Sequence, residues 1–138
     1  MENLKSFSEK LIFPLGDELP EQFSRYFIGQ AYLNMLSTKG AVIGNVTFEP
    51  GCRNNWHIHH KGGQILLVTA GRGWYQEWGK DARELHPGDT VNIPAEVKHW
   101  HGAAKDSFFS HIAIEVPAQG ASNEWLEAVA DDVYEQLK

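Results

Sequence analysis

The rhythm of apolar positions changes along this chain, and the change marks its architecture. From Ala41 onward, short β-branched or aromatic runs are closed by Gly- and Pro-bearing turns. AVIGNVTF ends at Glu49-Pro50-Gly51, QILLVTA at Gly71-Arg72-Gly73, GWYQEW at Gly79-Lys80-Asp81 and ARELH at Pro87-Gly88-Asp89, and TVNIP, HWHG and SFFSHIAIEV follow. Proline presets one backbone angle in such turns and glycine accepts positive φ. Many short strands with turns between them predict an all-β sandwich or barrel rather than a βαβ sheet. Before this region LPEQFSRYFIG predicts a short helix and QAYLNML a strand.

Toward the other end the rhythm becomes helical. Trp125, Val129, Val133 and Leu137 recur every fourth position, while Glu124, Glu127, Asp131, Asp132 and Glu135 occupy the remaining faces. With Ser122 as N-cap, the pattern predicts a C-terminal α-helix from Ser122 whose apolar stripe packs on the outside of the β unit. The expected organisation is a single domain: an N-terminal extension packing on the barrel over 1–40, the barrel core over 41–117, and the C-terminal helix over 118–138.

Composition narrows the function classes. A chain of 138 residues, 42% hydrophobic, suits one core of its own. Its formal net charge of -6 offers no basic footprint for phosphates, so nucleic acid is not an expected partner. Cys52 is the single cysteine, which excludes an intramolecular disulfide and fits a reducing compartment. The N-terminal residues lack the pattern of a secretory signal, and no apolar run approaches the ~20 residues of a membrane helix. A cytoplasmic protein without membrane contact is the expectation.

The chemistry concentrates in the histidines. GCRNNWHIHHKGGQILLVTAG, from Gly51 to Gly71, holds three of the seven. Side chains alternate along a strand, so His57 and His59 share one face while His60 takes the other. In KHWHG, His99 and His101 likewise share a face, with Trp100 pointing away. One such pair is more often a surface or hydrogen-bonded feature than a ligand set. Two pairs in one pattern of turns fit a transition-metal site, since imidazole suits Zn, Cu, Fe, Ni and Mn to differing degrees. His111 stands in an apolar strand, where an unpaired imidazole is costly: it is either a core histidine bonded to a backbone carbonyl or an acid-base group. His60 and His86 receive no role.

At these residues the sequence resembles the cupins. Gly51, CRNNW, His57-Ile58-His59, HKGG, Gln64, ILLVTA and Gly71 reproduce every spacing of the first cupin motif. Gly88, DTVNI, Pro94, Ala95, Glu96, VK, His99, WHG and Ala103 follow the second. Covering about Ala41 to Val116, the resemblance implies a small double-stranded β-helix barrel, jelly-roll-like, that holds one divalent metal ion through His57, His59, Gln64 and His99. Gln64 stands where most metal-binding cupins carry Glu, Glu96 where Gly is usual, and Ala103 in place of a final Asn. The first departure alters the chemistry: a glutamine oxygen can coordinate but brings no charge, and the alternative is that Gln64 only hydrogen-bonds near the barrel mouth.

WHIHH with Gly-Gln, ILLVTAG, HPGD, KHWHGA and SHIAI is further similar to small bacterial cupins that include manganese-dependent hydroxynitrile lyases and cupins associated with carboxymuconolactone decarboxylases. That resemblance implies manganese as the first expectation, with iron, zinc or nickel as others, and His101 and His111 as acid-base groups beside the metal. It also implies a small-molecule substrate and a homodimer. Lyase chemistry on a small hydroxy or carbonyl compound is the leading expectation. A metal-dependent dioxygenase and a non-catalytic small-molecule-binding module stand beside it, because fold does not fix function.

Overall fold

The predicted alternation of strands and turns becomes two facing antiparallel sheets. The computed structural model describes residues 2–138. In chain order the elements are α1 (Leu4–Glu9), β1 (Asp17–Glu18), α2 (Glu21–Ser24), β2 (Phe27–Ile28), β3 (Ala31–Ser37), β4 (Val42–Phe48), β5 (Arg53–Asn54) and β6 (His57–His60). They continue with β7 (Gln64–Gly71), β8 (Gly73–Glu77), β9 (Arg83–Leu85), β10 (Thr90–Ile93), β11 (His99–Ala103), β12 (Phe109–Glu115), β13 (Ser122–Trp125) and α3 (Asp131–Glu135). One sheet has the order β1-β3-β4-β12-β7-β10; the other runs β13-β6-β11-β5-β2, with β8 joined to β11 and β9 to β8. The all-β fold is thus as the sequence predicts, and α2 and β3 form where a short helix and a strand were expected. Among the described residues no helix is long and apolar enough to cross a membrane.

Between the sheets, Phe48, Leu66, Val68, Leu85, Val91, Ile93 and Phe109 form the main core. β11 is buried on both faces. Trp100 turns outward from the barrel axis into a second cluster with Trp56, Val129 and Tyr134. His99 and His101 take the inner side. One strand therefore holds the outer packing and the site in a fixed relation.

The C-terminal helix is present but shorter than predicted. Ser122 does not cap a helix: Ser122–Trp125 is a strand paired antiparallel with β6, and α3 begins only at Asp131. The physical reason is that backbone groups here have sheet partners, and Leu126 N–H and Glu127 C=O are spent on Trp56, so helical bonds cannot form across them. The fourfold spacing is partly coincidental. Val129 and Leu137 do pack on the barrel exterior, but Tyr134 supplies the helix's buried contact, Val133 is exposed, and Trp125 stacks on Tyr26 with ring centroids 4.7 Å apart.

Two backbone details position the inner residues. A Cβ on Gly102 would come within 2.6 Å of Arg53 Cα, so glycine is what lets β5 lie close against β11. Glu96, at a position where glycine is usual, takes the left-handed conformation itself with φ 69°. Its carboxylate compensates by accepting from Lys61 N–H at 2.9 Å and from His60 Nδ1–H at 2.5 Å.

Candidate metal centre

Antiparallel register places the histidines of the two motifs against each other. β6 pairs with β11 so that His57 lies opposite His99. Ring centroids are 4.1 Å apart for His57 and His99, 5.1 Å for His59 and His99, and 5.2 Å for His57 and His59. All three rings are buried, as is Gln64 at the start of β7. Gly63, with φ 99° and a Cβ position only 2.5 Å from Ile93 O, is the tight approach that delivers Gln64 there.

Each of these imidazoles has its Nδ1–H committed to an oxygen. His57 donates to Asn55 O at 2.8 Å, His99 to Val97 O at 2.9 Å and His59 to Asn123 Oδ1 at 2.7 Å. That choice of tautomer leaves Nε2 as a lone pair, the arrangement a ligating histidine requires. Gln64 Nε2–H donates to Glu115 Oε1 at 2.6 Å, which turns its oxygen away from that partner. Nε2 of His59, Nε2 of His99 and Oε1 of Gln64 are buried with no hydrogen-bond partner among the described residues. Buried polar atoms are rarely left so, and these three are all acceptors, while Arg53 Nε and His111 Nδ1 are unpartnered elsewhere. The donor set fits a cation.

His101 is set differently. One nitrogen each of His57, His99 and His101 lies within 4.8 Å of the others, and this three-histidine cluster suggests a metal-binding protein. His101, however, has other company: Nδ1 is 3.2 Å from His111 Nε2, so one ring donates a hydrogen bond to the other, and Asn54 Nδ2 lies 3.3 Å from Nε2. Asn54 Oδ1 also accepts from the His101 backbone N–H at 2.9 Å. His59 lies outside the tightest nitrogen cluster but keeps a free lone pair, so the availability of lone pairs favours His59 over His101 as a donor.

Burial governs the protonation of the rings. It pushes His57 and His101 well below the ordinary histidine range, with neighbouring imidazoles adding to the effect, lowers His99 to about 4 and lowers His111 to about 3. These rings are neutral at physiological pH, as metal ligation demands of His57 and His99. His101 and His111 are held neutral in the resting protein by the same burial, because no counter-charge offsets their desolvation. His60 faces the other way, bound by Glu96 and Glu124, and His86 is exposed beside Glu84 and Asp89.

A cavity of about 470 Å³ opens beside the cluster. His57, His59, Gln64, His101 and His111 form its polar end, and Phe27, Leu33, Val46 and Phe48 are among its apolar walls. Three contributors escaped the sequence reading. Asn54 orients His101, Asn123 orients His59, and Glu115 holds Gln64. Glu115 was within reach: alternation along β12 from His111 through Ala113 carries it to the same face, and all three line the cavity. Asn123 was hidden by the helical reading of its segment, and Asn54 sits on a strand too short to show a period.

The fold and site together define a double-sheet β barrel whose inward histidine cluster suggests metal binding. Residues 44–114 match the family model of the cupin domain, and the chain belongs to the cupin family. It is 48% identical over 90 residues to an (R)-mandelonitrile lyase of Granulicella tundricola, a match covering 65% of this chain and 68% of that protein. The known structure of a cupin-like protein of Thermotoga maritima superposes with a TM-score of 0.82 at 43% identity, covering 91% of this chain and 95% of the other. An acireductone dioxygenase of Bacillus cytotoxicus is 32% identical over 66 residues, 45% of this chain and 39% of its own length.

Proposed function

We propose that this chain is a metal-dependent lyase that cleaves a small hydroxynitrile bearing an aromatic or similarly apolar group. The observation that carries this reading is the set of unpartnered buried acceptors on His59, His99 and Gln64, of which His59 and Gln64 line the polar end of a largely apolar cavity. His57, His59, Gln64 and His99 are the proposed ligands. A divalent ion there, manganese first and iron, zinc or nickel after it, supplies Lewis acidity toward a substrate oxygen. The likeness to the Granulicella mandelonitrile lyase supports the substrate class. A cavity of about 470 Å³ walled by Phe27, Phe48, Leu33 and Val46 suits a phenyl ring better than a methyl group.

His101 and His111 are the proposed proton carriers. The neutral pair accepts the substrate's hydroxyl proton, the O–H electrons become the carbonyl π bond, and the bond to the nitrile carbon breaks with its electron pair leaving as cyanide. The same pair then returns the proton to give hydrogen cyanide and an aldehyde, with no oxidant consumed. Sharing the proton over the 3.2 Å contact between the rings spreads the charge that burial opposes.

The test is metal analysis of protein from unsupplemented cells, followed by mandelonitrile cleavage with and without oxygen. Stoichiometric metal with benzaldehyde release that is oxygen-independent, lost on chelation and regained on metal return, is expected. Cleavage no faster than that of chelated protein sinks the reading. A dioxygenase is the second reading, supported by the likeness to the Bacillus acireductone dioxygenase, and turnover that requires oxygen selects it. The proposed assembly is a homodimer. Met35, Leu36 and Val42 are exposed apolar residues around the β3–β4 connection that a second copy would cover, and a monomer by light scattering at micromolar concentration overturns it.

A further inference from the structure

Glu115 ends β12 directly opposite Gln64, the first residue of β7. Its Oε1 accepts from Gln64 Nε2–H at 2.6 Å, a charge-assisted bond, and its Oε2 lies 3.9 Å from His59 Nδ1. Among the described residues lining the cavity it is the one acidic side chain.

An amide has two ends of nearly equal size and opposite polarity. Were Gln64 turned over, its NH₂ would occupy the place of the unpartnered Oε1 and would repel a cation. A carboxylate only accepts, so Glu115 can be satisfied by the NH₂ end alone. The cross-strand pair thereby chooses which end of Gln64 stays free. It also places a negative charge one hydrogen bond away from a donor set that is itself neutral.

We propose that Glu115 is a positioning residue: it fixes the Gln64 amide with its oxygen toward the site and supplies the charge that the neutral ligands lack. Gln64 and Glu115 then act as one carboxylate ligand divided between two strands. This rests on the reading that the site holds a divalent ion.

The experiment titrates chelator-treated full-length protein with Mn²⁺ and reads affinity and the electron paramagnetic resonance of the bound ion. Glu115→Gln keeps the size and an acceptor but removes the charge, whereas Glu115→Ala removes both. Binding is expected to weaken by about 10-fold in the first and by up to about 100-fold in the second, the range found when an outer partner of a ligand is lost. The exchange variant Gln64→Glu with Glu115→Gln reverses the hydrogen bond, keeps the net charge and is expected to regain wild-type affinity. Thermal unfolding of the metal-free variants shows that each is folded; Glu115 is only half-buried. Unchanged affinity in both single variants overturns the proposal, and weakened single variants without recovery in the exchange overturn its charge component. Failure of the wild type to bind Mn²⁺, Fe²⁺, Zn²⁺ or Ni²⁺ instead overturns the metal reading.

Discussion

Asn123 and His59 are directly opposite across the β6–β13 pair, and Nδ1–H of His59 donates to Oδ1 of Asn123 at 2.7 Å. The register of the strands is what joins these residues, 64 positions apart in sequence. Asn123→Ala leaves the imidazole free to turn or change tautomer, and metal affinity is expected to fall by about 10–100-fold. Asn123→Asp keeps an acceptor and should stay near the wild type. A competition titration with a coloured chelator reads both, and equal affinity in the alanine variant would show that His59 needs no orienting partner.

The proposed ligands differ in strength. The double variant His57→Ala, His99→Ala should lose metal on gel filtration while its circular dichroism stays that of a β protein. Gln64→Ala, which deletes a neutral oxygen donor, should weaken retention less. Full metal content in the folded double variant refutes the ligand assignment.

His101 and His111 carry a different expectation. As proton carriers outside the ligand set, His101→Ala and His111→Ala should each keep the metal while turnover falls by about 10²–10⁴-fold. A packing role gives the reverse pattern, with a lower melting temperature and activity per folded molecule preserved. Metal content, melting temperature and turnover measured on the same preparations separate the two.

Acid should destabilise the metal-free protein. In the unfolded chain these imidazoles titrate near ~6.5. Burial lowers His57 and His101 well below that, His99 to about 4 and His111 to about 3. Above ~6.5 both states hold neutral rings and these groups add no pH dependence. Below it the unfolded chain takes up protons that the folded protein excludes, so stability falls, by up to ~1.4 kcal/mol per pH unit for each ring. His60 runs the opposite way: bonding to Glu96 and then Glu124 raises it, so its contribution is full below the unfolded value and fades as pH rises through the folded one. It lies at the surface, so the buried rings dominate. The melting temperature of chelated protein should drop steadily from pH 6.5 toward pH 4, and a flat profile there contradicts the buried neutral cluster.

The sequence was most readable where period and turn chemistry agreed. His57 with His59 and His99 with His101 share inner faces because a two-residue spacing on a strand leaves no other choice. Gly63 and Gly102 hold their strands closely enough for those faces to meet. The segment from Ser122 to Trp125 was unreadable for the converse reason. Its apolar spacing is compatible with a helix, and only the free edge of β6, which no local pattern reveals, draws it into a strand. The protonation of His101 and His111 was equally out of reach, since it depends on how completely distant residues exclude water.

β13 follows every other strand in the chain and yet supplies the partner of His59. During synthesis all four proposed donors therefore leave the ribosome before the residue that aligns one of them. A nascent barrel halted after β12 would display the imidazoles with His59 unrestrained, a looser and less selective trap for whatever ion the surroundings offer. On the proposed metal reading, docking of the final strand would tighten the grip only once the polypeptide has been made through Trp125.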